Sequence, residues 1–262
     1  MLVLSVVVFY PHIDFHKFLV LPKREWGIII FRALVGSVLA VSLYTLAARE
    51  AKIGIVAFMQ VVPSTALLGI ILFHERVSRA RLATILLAFA GAALVVVNNF
   101  GDLKGVNTGA FWSLISGMLF GLQFVTRKWH SKALNNQELT VAIIGTGFVM
   151  NYLVSLVLYH HFFVTTTGWD PQFVLMLLLA ACLGVANIFL INYGFEHVSA
   201  VIAGNILSLE EVFGALFGFL IYRETLSPRD IIGGLIILGA VIFTNELNTR
   251  EGIKDEIEPV PG

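Results

Sequence analysis

Phe173-Val-Leu-Met-Leu-Leu-Leu-Ala-Ala-Cys-Leu-Gly-Val-Ala-Asn-Ile-Phe-Leu-Ile-Asn-Tyr-Gly-Phe195 decides the fold. These 23 residues contain no Asp, Glu, Lys, Arg or His. A helix needs about 20 mostly apolar residues to cross about 30 Å of hydrocarbon. A stretch of this length without one ionisable side chain (Cys182 and Tyr193 aside) reads as a transmembrane helix. Seven similar runs accompany it: Trp26–Ala48, Ile53–Phe73, Ala80–Asn98, Thr108–Lys128, Glu138–His160, Ala200–Tyr222 and Arg229–Asn245. The breaks between them are short and carry Pro, Gly, Asn, Ser or charged residues, so neighbouring spans are expected to run antiparallel in an all-α bundle. No break is long enough for a soluble domain.

Composition gives the same answer. Of the 262 residues, 58% are apolar and 13% charged, and mean hydropathy is +0.87. Soluble chains carry about 25% charged residues, so this chain has too few charges to coat a soluble surface. Lys and Arg total 17, as do Asp and Glu. No basic excess points to nucleic acid. The single cysteine, Cys182, excludes a disulfide framework and a Cys-based zinc site within the chain. The pairs His160-His161 and Glu196-His197 have no further ligands at suitable spacing, so no metal is expected. There is no Gly-rich phosphate loop, HExxH motif or nucleophile elbow. The expectation is therefore a non-enzyme without a cofactor. Its partners would be the lipid bilayer and a small-molecule solute, with a homodimer as a candidate assembly.

Leu2–Phe9 is apolar but too short to span. It reads as the last half of a helix, not as a signal peptide, because no basic residue precedes it and no small-residue cleavage site follows. Of the 17 Lys and Arg, 12 fall on one side of the alternating loops and 5 on the other. The richer side, which includes the C-terminal tail, should be cytoplasmic. The tail Glu246–Gly262 is acidic and lacks apolar periodicity, so disorder is expected there.

Offsetting the chain by 149 residues aligns two stretches without a gap. Leu34 meets Leu183, Tyr44 meets Tyr193, Glu75 meets Glu224, Ser78 meets Ser227 and Leu86 meets Leu235. The offset crosses an odd number of spans, so the second copy enters the membrane upside down. Inverted repeats of this kind are characteristic of secondary transporters, in which two halves exchange conformations to give alternating access.

The same residues carry a family resemblance. Tyr44-Thr-Leu-Ala47, Val62-Pro63, His74-Glu75-Arg-Val-Ser78 and Ala90-Gly91 resemble one EamA domain. Tyr193-Gly194, Leu209-Glu210, Arg223-Glu224-Thr-Leu-Ser227-Pro228 and Leu238-Gly239 resemble another. The chain is thus similar to EamA-type transporters of the drug/metabolite transporter superfamily over nearly its whole length except the tail. The resemblance implies two inverted five-helix repeats with both ends cytoplasmic, the first repeat here short of about one and a half helices. On that pattern residues 1–98 form an incomplete first repeat, 99–107 a connecting loop, 108–245 the second repeat and 246–262 the tail. Glu211 stands where the family has a proline. The resemblance suggests export of amino acids or related metabolites, in a multi-pass protein of the cell membrane, a bacterial inner membrane fitting best. The alternative is a non-transporting scaffold or a truncated relic.

Candidate site residues follow from polarity within the spans, which is costly in lipid and marks cavities or partners. Wound at about 100° per residue, Asn205, Ser208 and Glu211 share one arc with Ala215 and Gly218. Glu210 sits at the edge of the apolar arc. Glu210 and Glu211 are the candidate proton-coupling pair, because a buried carboxyl favours its neutral form and exchanges protons near neutral pH. Gln60, Trp112, Ser116, Gln123, Asn151, Asn187 and Asn192, with Asn205 and Ser208, are candidates for the lining of a neutral cavity. For any one Asn or Gln the competing reading is an interhelical hydrogen bond. Gly109, Ser113, Gly117 and Gly121 read as a packing seam. Pro63 is a candidate hinge. Ser78 and Ser227 are expected to cap helices, the latter through Ser227-Pro228-Arg-Asp230. Glu75 and Glu224 are expected to accept hydrogen bonds from the start of the next helix or to pair with arginine, with direct coupling as the alternative.

Overall fold

The computed structural model describes residues 1–60, 68, 78–97, 107–131, 133–159, 170–197, 213, 214 and 216–257. Its elements are helical throughout. They are α1 (Leu2–Phe9), α2 (Phe15–Val20), α3 (Lys23–Arg32), a π-helical segment (Ala33–Ala40), α4 (Val41–Glu50), α5 (Ile53–Gln60), α6 (Arg79–Val96), α7 (Thr108–Val125), α8 (Asn136–Tyr159), α9 (Pro171–His197) and α10 (Pro228–Ile257). By length and composition three described helices can cross a membrane: Lys23–Glu50, Asn136–Val157 and Pro171–Gly194. The last covers nearly all of the uncharged run Phe173–Phe195. Its residues Leu175 to Leu179 are all exposed, as a lipid-facing surface requires.

Contacts divide the chain into two compact units, one of Met1–Val38 with Thr126–Val198, the other of Leu39–Val125 with Ser199–Gly262. In the first, α8 packs against α1, α3 and α9. Leu21, Ile29, Leu139, Ala142 and Ile143 form its buried apolar cluster. Asn135 and Glu138 form a capping box at the start of α8. Asn135 Oδ1 accepts from the Glu138 N–H at 2.7 Å, and Glu138 Oε2 accepts from the Asn135 N–H at 2.9 Å. The fully buried Glu138 carboxylate also accepts from the Asp14 N–H and pairs with Lys17 at 3.0 Å. One side chain thus ties α8 to the segment leading into α2.

In the second unit α6 packs along α10, and α7 packs against α4 and α5. Ile55, Phe58, Met59, Val95, Ile237 and Val241 belong to its buried cluster. Lipid is as apolar as these side chains, so close packing and hydrogen bonds, not hydrophobic transfer, hold such helices together. Small residues make the approach close. A Cβ on Gly91 would lie 2.9 Å from the Gly233 carbonyl oxygen, and one on Gly233 would lie 2.5 Å from Val95 Cγ2. Near the other end Thr244 Oγ1 donates to Thr84 Oγ1 at 2.6 Å, both buried. Partners fall along α10 as they rise along α6, so the two helices cross antiparallel. On α7, a Cβ on Gly109 would collide with Ala51, and one on Gly117 would touch Gln60. This part of the Gly109–Gly121 ladder is a packing seam.

The loop before α10 is organised by Glu224. Its Oε1 accepts from the Ile53 N–H at 2.7 Å and its Oε2 from the Gly54 N–H at 2.9 Å. The carboxylate therefore caps the first turn of α5, where backbone donors have no helical acceptor. The helix it serves is distant in sequence and is not the next one, as the spacing alone suggests. Arg223, at φ 51°, makes the left-handed turn that precedes it. Lys52 Nζ donates to the Thr225 carbonyl across the same junction. Ser227 caps α10: its Oγ accepts from the Asp230 N–H at 3.2 Å, and Asp230 Oδ2 accepts back from the Ser227 N–H at 3.1 Å. Ser78 stands just before α6, its carbonyl accepting from the Leu82 N–H. Glu75 and Pro63 lie outside the described residues.

Helical backbone continues through Ile257, past the Asn245 boundary that loss of apolar periodicity suggests. Residues 246–257 are rich in Glu, Lys, Arg and Ile, which lets a helix already formed propagate without an apolar face.

Two expectations follow, both read as thermal midpoints of the protein purified in detergent. Gly233→Ala should destabilise by about 1–3 kcal/mol, because Val95 must move. Gly239→Ala, with nothing within 4 Å of its added Cβ, should be neutral or slightly stabilising. Glu224→Ala should cost about 1–3 kcal/mol through loss of the α5 cap. Glu224→Gln should cost less, because one acceptor oxygen remains.

Candidate functional site

The proposed cavity residues are placed as follows. In the unit containing α7, Gln60 Nε2 donates to the Ser113 carbonyl at 3.1 Å, and Ser113 Oγ donates to the Val56 carbonyl. Ser116 is fully buried and donates to the Ala40 carbonyl at 2.8 Å. These bonds join α5 and the end of the π segment to α7. Trp112 is half-buried, its ring edge-on to Phe111. Gln123 is half-buried on the same helix. In the other unit Asn151 Nδ2 donates to the Ser37 and Gly147 carbonyls at 3.1 and 2.9 Å. Asn187 is exposed, and Asn192 is 1% exposed. Asn205, Ser208, Glu210 and Glu211 lie outside the described residues.

Most of the bonded candidates therefore work as interhelical ties. Two of them serve the π segment, where wider winding disturbs the regular i→i+4 ladder. Ser37 and Ala40 within it each receive a side-chain donor, from α8 and α7 respectively. π-Helical turns inside α-helices recur at functional sites.

The first unit also gathers a buried polar cluster around Asn192, one of the residues that polarity within the spans singles out. Arg32, at the end of α3, is 2% exposed. Its Nη2 donates to Asn192 Oδ1 on α9 at 3.3 Å. Asn192 Nδ2 donates to Thr140 Oγ1 on α8 at 3.3 Å, and Thr140 donates to the Asn136 carbonyl at 2.6 Å. Arg127 Nη2 donates to Asn136 Oδ1 at 3.2 Å. Glu25 lies a short way off on α3, 4% exposed. It contacts His130 Nδ1 at 2.8 Å and accepts from the Ser131 N–H at 2.8 Å. Burial holds the His130 imidazole below its ordinary pKa, and the charges of Arg32 and Arg127 act in the same direction, against the pull of Glu25. A neutral ring is thereby favoured.

A signal for this cluster was available at Arg32. It stands inside the apolar run Trp26–Ala48, and an intramembrane cation marks function by default. Counted with the loop charges that orient the spans, it loses that meaning. Glu25, Arg127, Asn136 and Glu138 lie at span ends, where a polar or charged residue ordinarily reads as solvated.

The EamA-like transporter family model matches residues 1–97 and 107–246. An uncharacterized transporter of Archaeoglobus fulgidus is 26% identical over 222 residues, covering 83% of this chain and 74% of the relative. An uncharacterized transporter of Synechocystis is 22% identical over 260 residues, 95% of this chain and 74% of that protein. A chloroplastic WAT1-related protein of Arabidopsis thaliana is 26% identical over 208 residues, 70% of this chain and 45% of its own length. One solved crystal structure superimposes with a TM-score of 0.61 at 14% identity, covering 94% of this chain and 84% of the other, a likeness of fold. With the family model spanning both halves and the apolar helices in place, the chain belongs to the EamA-like transporter family and is a multi-pass membrane transporter.

Proposed function

We propose that this transporter is secondary, driven by a gradient without ATP, and that it exports small organic metabolites such as amino acids across the cell membrane. Two inverted repeats would alternate access to a polar cavity, with the C-terminus cytoplasmic. The observation that carries the reading is the crossing of α6 and α10. The sequence offset of 149 maps Thr84 onto Gly233 and Val95 onto Thr244. Thr84 touches Thr244, and Gly233 packs on Val95. The second contact is thus the image of the first under exchange of the repeats. Two equivalent helices crossing antiparallel about a local two-fold axis are what inverted copies produce.

Glu211, with Glu210 beside it, is the proposed proton-coupling carboxyl. Gln60, Trp112, Ser116, Gln123, Asn151, Asn187, Asn192, Asn205 and Ser208 are the proposed cavity residues.

The test is flux of labelled amino acids and related metabolites in vesicles carrying the protein, with an imposed pH gradient and no ATP. Saturable flux that responds to the gradient is expected, with Glu211→Gln losing that response. Absence of flux for every solute would overturn the transporter mechanism in favour of a scaffold. Unchanged pH dependence in Glu211→Gln would remove the coupling role alone.

A further inference from the structure

His130 stands just after the point where the chain passes from one compact unit to the other, between Val125 and Thr126. A 3-10 turn, Thr126–Trp129, occupies that point. The His130 N–H donates to the Arg127 carbonyl at 3.3 Å, so the ring is carried by the turn itself. Trp129 faces Phe31 on α3, with ring centroids 6.2 Å apart.

Glu25 fastens this segment to α3. Its Oε2 meets His130 Nδ1, and its Oε1 accepts from the Ser131 N–H, both at 2.8 Å. The side chains of His130 and Glu25 are 2% and 6% exposed. An ionised carboxylate only accepts, so Nδ1 carries the hydrogen and Nε2 of the neutral ring holds a lone pair. Nε2 is buried and has no hydrogen-bond partner among the described residues. A proton is the ligand that such a nitrogen takes within the physiological pH range. Taking it turns a buried acceptor into a buried N–H donor and adds a charge away from water, and both are costly.

The surroundings of the ring set the balance. Burial, the largest effect, disfavours the imidazolium. Glu25 on α3 favours it, and the charges of Arg32 on the same helix and Arg127 in the turn oppose it. Glu138, in the first turn of α8, is taken up by Lys17 and by the Asp14 and Asn135 N–H groups. The buried ring is thus held below its ordinary value of 6.5, which it regains in water. A group that protonates more easily when exposed draws the protein toward the exposed arrangement as pH falls. The buried arrangement is fully favoured above about pH 6.5 and loses ground below it.

We propose that His130 is a proton-binding site, and that a proton at Nε2 releases the segment Thr126–Ser131 from α3. With a neutral ring, Glu25 holds the segment in place. With a charged ring, the Nε2–H gains a partner by leaving its buried position for water. Acid thereby loosens the connection through which the chain passes between its compact units. This goes beyond the coupling role proposed for Glu211 and does not depend on it.

The test is amide hydrogen exchange of the protein in detergent, followed over residues 126–131 between about pH 7.5 and about pH 5.5. Each rate is divided by the intrinsic rate at its own pH, so that the readout is protection. Protection of this segment, which includes the Ser131 amide bonded to Glu25, should fall about tenfold across the range. The half-change should lie below about pH 6.5. Peptides from α7 should keep their protection. His130→Asn, whose amide donates to Glu25 from the place of Nδ1 and does not titrate, should hold the segment protected at every pH. His130→Gln serves if that variant does not fold. Protection independent of pH in the wild type overturns the proposal. So does an equal fall in the variant, or an equal fall in the α7 peptides. Exchange reads this junction and flux reads the transporter, so failure of one leaves the other standing.

Discussion

Gly91 and Gly233 let α6 and α10 approach until the side of one helix backbone rests on the other. In lipid this approach does the work that apolar burial does in water, because side chains gain nothing by leaving hydrocarbon for protein unless they pack more closely. The crossing also fixes direction. With Gly91 and Val95 against Gly233 at one end and Thr84 against Thr244 at the other, the helices can only run antiparallel. That geometry is what the proposed inverted repeat requires. Ile237 and Val241 on α10 and Ala92 and Val95 on α6 complete the buried cluster with α5.

A second constraint governs the polar groups. Every buried donor and acceptor needs a partner where water is absent. Glu224 satisfies the start of α5, Ser227 and Asp230 the start of α10, and Asn135 and Glu138 the start of α8. The π segment is served by Asn151 and Ser116. The Arg32 cluster differs from these. Its side chains come from α3, α8, α9 and the turn Thr126–Trp129, and they link Arg32 through Asn192 to Thr140, and Arg127 to Asn136. Helix ends explain the first set of interactions.

The fold was legible because hydrophobic length is a strong signal. A run such as Phe173–Phe195 admits one reading, and the helix Pro171–His197 contains it. Ser227-Pro228-Arg-Asp230 was legible for the same kind of reason, since a cap is a local arrangement whose residues adjoin in sequence. Glu224 was legible as an acceptor but not for its partner, because the donors at Ile53 and Gly54 come from an element far away in the chain. Asn192 was marked as polar inside a span, yet its bond to Arg32 depends on how α3 and α9 face each other, which periodicity does not encode. The π segment left no mark, because Ala33–Ala40 contains no proline or other residue that signals a change of winding. Helix beyond Asn245 was missed because a propagating helix needs no apolar face.

The inverted relation of the two repeats is the claim on which the transport mechanism stands, and sidedness tests it most directly. Arg79 and Pro228 are equivalent under the offset, and both are exposed at the starts of their helices. Single cysteines at these positions, in a Cys182→Ser background, would be labelled with a membrane-impermeant maleimide in right-side-out and inside-out vesicles. Labelling from opposite faces, with position 79 cytoplasmic, is the expected result. Labelling of both positions from the same face would contradict the inverted repeat and the alternating access built on it.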